Sequence, residues 1–137
     1  MQDEVIAVYE KEEDISSLRD RLKQFSFDDL IKTPHFYYSL DEKGTDFNFI
    51  KDKFIEFERI RMVTRRKHGK SEKINYDFYY LLENNYYIIY AIDLNEARPI
   101  LINAYYVERN FKRYKEWLIR AYIVKDINNW AKLHVFP

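Results

Sequence analysis

The chain has 137 residues with 23 basic and 23 acidic side chains, 13 tyrosines, only 2 glycines and no cysteine. That length makes a single domain, 1–137, able to bury a core, and the missing cysteine excludes disulfides and thiolate metal ligands. Net charge is zero but unevenly placed: residues 1–58 carry 8 basic and 15 acidic side chains, and residues 59–137 carry 15 basic and 8 acidic, which points the C-terminal half toward a polyanion or toward the acidic half itself.

Along the chain, the acidic start "MQDEVIAVYEKEED" lacks the basic residues and apolar middle of a signal peptide. No apolar stretch approaches the roughly 20 residues that cross a bilayer. A soluble, cytoplasmic protein is expected. "DISSLRDRLKQF" sets Ile15, Leu18, Leu22 and Phe25 on one helical face behind Asp14 as N-cap. "SFDDLIKTP" reads as a turn or short helical piece halted before Pro34. In "TDFNFIKDKFIEFERI" the recurrence of Phe47, Ile50, Phe54 and Phe57 predicts a second helix, capped by Thr45 or Asp46 after the break at Gly44.

From residue 58 the period shortens to two. "ERIRMVTRR" alternates Ile60, Met62 and Thr64 with arginines, and "KINYDFYYLL" alternates Ile74, Tyr76, Phe78 and Tyr80 with Asn75, Asp77 and Tyr79. "YYIIYAID" and "PILINAYYV" complete four strand-like runs. Asn110 then caps "FKRYKEWLIRAY", and residues 123–137 form a tail. Short links favour an antiparallel meander, since a parallel crossover needs about a dozen residues. The expected fold is α+β: an acidic helical part over 1–57, then a mostly antiparallel four-stranded sheet and a C-terminal helix.

Two glycines cannot build a phosphate-binding glycine loop. His35, His68 and His134 lie far apart in no metal-ligand spacing, so neither a metal nor another cofactor is expected. The notable chemistry is cationic. Residues 59–73, "RIRMVTRRKHGKSEK", hold seven Lys or Arg against one Glu, and a second cluster, Arg109, Lys112 and Arg113, ends another strand. Guanidinium forks match phosphate oxygens and lysine adds a mobile charge. These clusters, with Arg65, Arg66, Lys67 and Lys70 in the first, are candidates for holding nucleic acid, and Tyr79, Tyr86, Tyr87, Tyr105 and Tyr106 for stacking on bases. The plainer alternative is a solvated hairpin loop, with tyrosines filling the core.

Residues 58–122 resemble the C-terminal half of the RelE-type toxins and the related BrnT-like proteins. The resemblance is carried by "KIN" after a basic segment, "YYIIYAID", "YYVERN", "KRY" and "KEWLIRAY". It implies a RelE-like fold and a metal-independent endoribonuclease that cuts mRNA, often on the ribosome, and is neutralised by an antitoxin protein. In that chemistry the ribose 2′-hydroxyl attacks the adjacent phosphate and leaves a cyclic phosphate. By position, Arg109 would stabilise the transition state and Tyr114 or Lys73 would handle a proton. Arg65, Arg66 and Lys70 would hold backbone phosphates. Tyr87 stands where the family carries a basic residue. Two other functions compete: a non-catalytic RNA- or protein-binding module, such as a viral or mobile-element factor, and a homodimer joined through aromatic strands. The nuclease expectation requires Arg65, Arg66, Lys73, Arg109 and Tyr114 on one concave face.

Overall fold

Six strands, not four, form one curled half-barrel sheet, and the first element is a strand. The computed structural model describes residues 3–68 and 73–133. In chain order the elements are β1 (Asp3–Tyr9), α1 (Glu12–Leu22), β2 (Ile31–Lys32), α2 (Pro34–Lys43), α3 (Phe47–Phe54), β3 (Ile60–His68), β4 (Ile74–Leu81), β5 (Tyr87–Asp93), β6 (Ile100–Val107) and α4 (Phe111–Leu133). The strand order is β1-β3-β4-β5-β6-β2. Strands β3 to β6 make the expected antiparallel meander. Two edges were not anticipated: β1 pairs antiparallel with β3, and β2 pairs parallel with β6. The fold is therefore α+β, but it is not the RelE-like arrangement of N-terminal helices before a four-stranded sheet, and residues 1–57 are not purely helical.

Helix ends follow from local chemistry. The hydroxyl of Thr33 accepts from the Phe36 N–H at 3.1 Å, and Pro34 opens α2 where no N–H is needed. Gly44 ends that helix at φ 63°, a left-handed conformation that glycine adopts without a Cβ penalty. Asp46 caps α3 by accepting from the Asn48 N–H at 3.0 Å. Helix α1 starts earlier than its Asp14 signal: Lys11 is the N-cap, and Glu12, Glu13 and Asp14 fill the first turn, where the helix dipole favours negative charge. Phe57 lies in a separate 3₁₀ turn beyond α3. Helix α4 continues to Leu133, through most of the residues expected to be a tail.

The sheet carries a core on each face. On one, Val63, Phe78, Tyr80, Ile88, Tyr90 and Ile92 pack against Ile15 and Leu22 of α1, Phe36 and Leu40 of α2, and Ile50 and Phe54 of α3. Two buried tyrosines tie sheet to helix: Tyr80 donates to the Phe54 carbonyl at 2.8 Å and Tyr90 to the Ile50 carbonyl at 2.6 Å. Buried hydroxyls need such partners. The second core is smaller, with Met62, Tyr79, Tyr87 and Ile89 beneath Phe111 and Leu118 of α4. Alternation along each strand sends successive side chains to opposite cores.

Register shifts between Val5 and Ala7, between Ile60 and Met62, and between Ala91 and Ile92 mark three bulges, devices that bend strands and raise twist. The third inserts Ile102 into β6, because Ala91 pairs with Asn103 and Ile92 with Leu101. The Ile102 carbonyl accepts from the Thr33 hydroxyl at 2.9 Å. One threonine thus starts α2 and secures the bulge. No helix among the described residues is long and apolar enough to cross a membrane.

Candidate functional site

Phe111 and Leu118 of α4 pack over Met62, Tyr79, Tyr87 and Ile89 on one face of the sheet. Beyond the reach of Phe111 and Leu118, β3 to β6 present polar side chains to a pocket of about 220 Å³ lined by His35, Arg66, Asn75, Asp77, Ala91, Ile102, Asn103 and Tyr105. The bulge in β6 and the start of α2 form its rim, a usual position for bulges next to sites.

Inside, Arg66 Nε donates to Asp77 Oδ2 at 2.6 Å, and Arg66 Nη2 donates to the Tyr79 hydroxyl at 3.3 Å. The Tyr79 hydroxyl shares a further hydrogen bond with Thr64 Oγ1 at 3.3 Å. Asp77 is only 5% exposed. Burial works against the Arg66 charge, but Asp77 and then Tyr79 outweigh it and hold the guanidinium above its ordinary pKa. Burial, reinforced by Asp77, pushes the Tyr79 phenol up and takes Tyr105 up to about 12. Lys43 Nζ sits 4.3 Å from the Tyr105 ring centroid, close enough for cation–π attraction.

Tyr105 also lines a second hollow, of about 390 Å³, with Tyr87, Ile89, Glu108, Arg109 and Tyr114. Arg109 and Tyr114 line a third, of about 440 Å³, with Asn110, Arg113 and Trp117. Tyr105 is common to the first two hollows, and Arg109 and Tyr114 to the last two, so the three adjoin in a row, the trough, from the β6 bulge to the first turns of α4. Its floor is an aromatic stack. Tyr114 lies nearly parallel to Tyr79 and to Tyr87, with centroids 6.0 and 5.5 Å away, and Trp117 is 5.9 Å further out. Burial, with Tyr114 next, raises Tyr87 to about 12. Asn110 positions the cations by accepting from the Arg113 N–H at 3.1 Å as helix cap.

The residues singled out in the sequence divide between the two sheet faces. Arg66, Arg109, Arg113 and Tyr114 line the trough. Lys112 is exposed on α4 beside it. Arg65 and Lys73 instead line a hollow of about 350 Å³ with Tyr76, Asp93, Asn95 and Glu96, beside the core that α1 to α3 cover, against which Tyr76 packs. Lys67 is half-buried on β3, in register with Glu4 and Ile74. Lys70 lies outside the described residues. The five side chains that the nuclease expectation gathers on one face therefore do not meet.

Sequence reading missed Asp77, Asn103 and Trp117 as site residues. Trp117 had a signal, since it stands three residues after Tyr114 and so shares its helical face. Asp77 had none, because its pairing with Arg66 depends on strand register. No three His, Asp or Glu among the described residues are placed to hold a metal ion. Comparison with protein-family models, characterised proteins and solved structures finds no match to this chain.

Proposed function

We propose that the protein is a non-catalytic module that binds single-stranded RNA along the trough between β6 and the first turns of α4. One observation carries this: Arg109 and Arg113 line one hollow with Trp117, which is 59% exposed and next to Tyr114. Neither arginine has an ion pair or a side-chain hydrogen bond among the described residues, whereas Arg19, Arg59 and Arg66 are held by carboxylates. An indole packed on one side against Tyr114 leaves its other face in water, and a guanidinium pair with no carboxylate partner among the described residues attracts anions. Together they suit a strand whose bases stack while its phosphates meet the arginines. Each stacked base is worth about 1–3 kcal/mol in such grooves.

The test is fluorescence anisotropy with short labelled single-stranded RNAs. Trp117→Ala is expected to weaken binding about 5- to 150-fold. Wild-type affinity should fall with salt by a log–log slope of about −0.7 for each phosphate neutralised. Absence of RNA binding at low salt would dismiss the proposal.

A second reading is favoured by the placement of Arg109 and Tyr114 in the same two hollows. In it the protein cuts the bound strand without a metal. The 2′-oxygen forms a bond to phosphorus as the bond to the 5′-oxygen breaks. The 2′-hydroxyl proton leaves to a base, and the departing 5′-oxygen gains one. Arg109 would stabilise the phosphoryl oxygens and Tyr114 would transfer a proton. Lys73 lines the other face's hollow and has no part in it. Cleavage products ending in a cyclic phosphate, lost in Arg109→Ala, would establish this reading over the first.

A further inference from the structure

We infer that the hollow lined by Arg65, Asp93 and Glu96 binds a free amino acid with an apolar or aromatic side chain. It shares no lining residue with the trough, so it stands whether or not the trough holds RNA.

The charges come first. Arg65 has no hydrogen bond or ion pair among the described residues, and its Nε is buried without a partner. Arg19, Arg59 and Arg66, by contrast, are held by carboxylates. Buried polar atoms are nearly always paired, so an exception beside a hollow marks where a water or a ligand atom belongs. Asp93 lines the same hollow and is nearly buried. Its Oδ1 accepts from the Asn95 N–H and from Asn95 Nδ2, both at 2.8 Å, and Asn95 Nδ2 also donates to the Ile74 carbonyl at 3.0 Å. Those bonds tie the carboxylate to the start of β4 and leave Oδ2 with no hydrogen bond among the described residues. Glu96 is exposed at the same hollow and pairs with no cation among the described residues.

Opposite charges thus line one hollow without neutralising each other. Strand register explains why. Arg65 pairs with Tyr76 of β4, and Tyr76 pairs with Ile92 of β5, the residue before Asp93. The backbones of Arg65 and Asp93 are therefore two strand spacings apart, about 10 Å. A small dipolar molecule can bridge what the intervening strand separates.

The lining then selects the molecule. A guanidinium with its five N–H groups open takes a carboxylate or a phosphate. Two carboxylates in the same hollow disfavour a phosphate, which they repel more strongly, and they call for an ammonium, which brings three donors. One molecule with both a carboxylate and an ammonium is a zwitterion. The remaining walls are Ile74, Tyr76 and Ile100, and Tyr76 packs against the core with its ring centroid 6.3 Å from that of Phe78. Such walls suit an aliphatic or aromatic side chain. The volume, about 350 Å³, lies in the range of roughly 300–1,000 Å³ common for small-molecule sites. Lys73 also lines the hollow but has interactions of its own, so no ligand contact is assigned to it.

The experiment titrates isotope-labelled protein with phenylalanine, following backbone amide signals by NMR. N-acetylphenylalanine, which lacks the ammonium, and phenylalaninamide, which lacks the carboxylate, are the controls. Phenylalanine is expected to shift the Ile74, Tyr76 and Asn95 signals saturably, with each control bound at least about tenfold more weakly. Arg65→Met and Asp93→Asn should each weaken phenylalanine binding by a similar factor, and the asparagine keeps an oxygen for the Asn95 bonds. Glu96→Gln, at an exposed position, is the change least able to disturb folding and should weaken binding severalfold. The absence of a saturable shift, or undiminished binding by folded Arg65→Met, would overturn the inference. So would an equal response to N-acetylphenylalanine or to phenylalaninamide, which would make the hollow a site for a peptide C-terminus or N-terminus instead.

Discussion

Arg66 and Asp77 meet diagonally across β3 and β4, with Nε and Oδ2 2.6 Å apart, although the register sets Arg66 opposite Asn75 and Asp77 opposite Thr64. Diagonal neighbours on one sheet face lie within reach of long side chains. The pair lies beside the second core, next to Tyr79, and lines the polar pocket.

Removing one member strands the other in a poorly solvated place. Asp77→Leu or Arg66→Met is expected to cost about 3 kcal/mol, at the lower end for a broken buried pair. Arg66→Met combined with Asp77→Leu should recover much of that loss, because an apolar pair needs no mutual compensation. Urea denaturation of the four proteins gives the coupling. Additive losses would show that the two side chains act independently.

Arg19 of α1 holds the other face together. It is nearly buried, pairs with Glu12, and donates to the carbonyls of Phe57 and Ile60 at 3.1 and 3.0 Å. Those carbonyls lie where the chain enters β3. Arg19→Ala removes one donor from each, although the Phe57 carbonyl keeps the Ile60 N–H and the Ile60 carbonyl keeps Arg61 at 3.4 Å, and a loss of about 1–3 kcal/mol follows. Thermal and urea unfolding check this, and an unchanged midpoint would contradict it. Glu12→Gln should cost less, since Glu12 is exposed and mainly steadies the guanidinium.

Alkaline pH should unfold the protein earlier than an ordinary tyrosine content would. Burial lifts Tyr87 and Tyr105 to about 12 from an ordinary 10.0, and it raises Tyr79, Tyr80 and Tyr90 as well. The folded chain keeps these protons where the unfolded chain releases them. Stability is thus complete below about pH 10 and declines as pH rises through 12. Tyrosinate absorbance should appear late and together with unfolding, and Tyr105→Phe should flatten the decline. Gradual ionisation of every tyrosine near pH 10 in a folded chain would oppose this.

How far the sequence reveals this molecule depends on which physics each element uses. The β3 to β6 meander is legible because alternation is strong there: Phe78 and Tyr80 go to one core, Asn75, Asp77 and Tyr79 to the other. The caps at Asp46 and Asn110 are equally plain. Strand β1 is not, because its acidic surroundings hide a segment that forms only by pairing with β3. The two residues of β2 depend on Ile31 and Thr33 donating to the carbonyls of Pro99 and Leu101, partners distant in sequence. Thr33, Pro34 and Gly44 do mark the ends of α2, yet its apolar stripe is thin, with Phe36, Ser39 and Leu40 buried. Arg65 and Arg66 teach the opposite lesson. Neighbours on a strand point to opposite faces, so period two alone forbids gathering both on one surface. Trp117 and Asp77 gained their meaning only when helix and register placed them on the trough.

Binding of a labelled single-stranded RNA to wild-type protein and to Arg109→Ala/Arg113→Ala/Trp117→Ala, across a range of salt, tests the trough most directly. The account predicts saturable wild-type binding that weakens steeply with salt, and at least a 100-fold loss in the triple variant with unfolding behaviour unchanged. Equal affinity of the two proteins for RNA, or no binding by either at low salt, would contradict it.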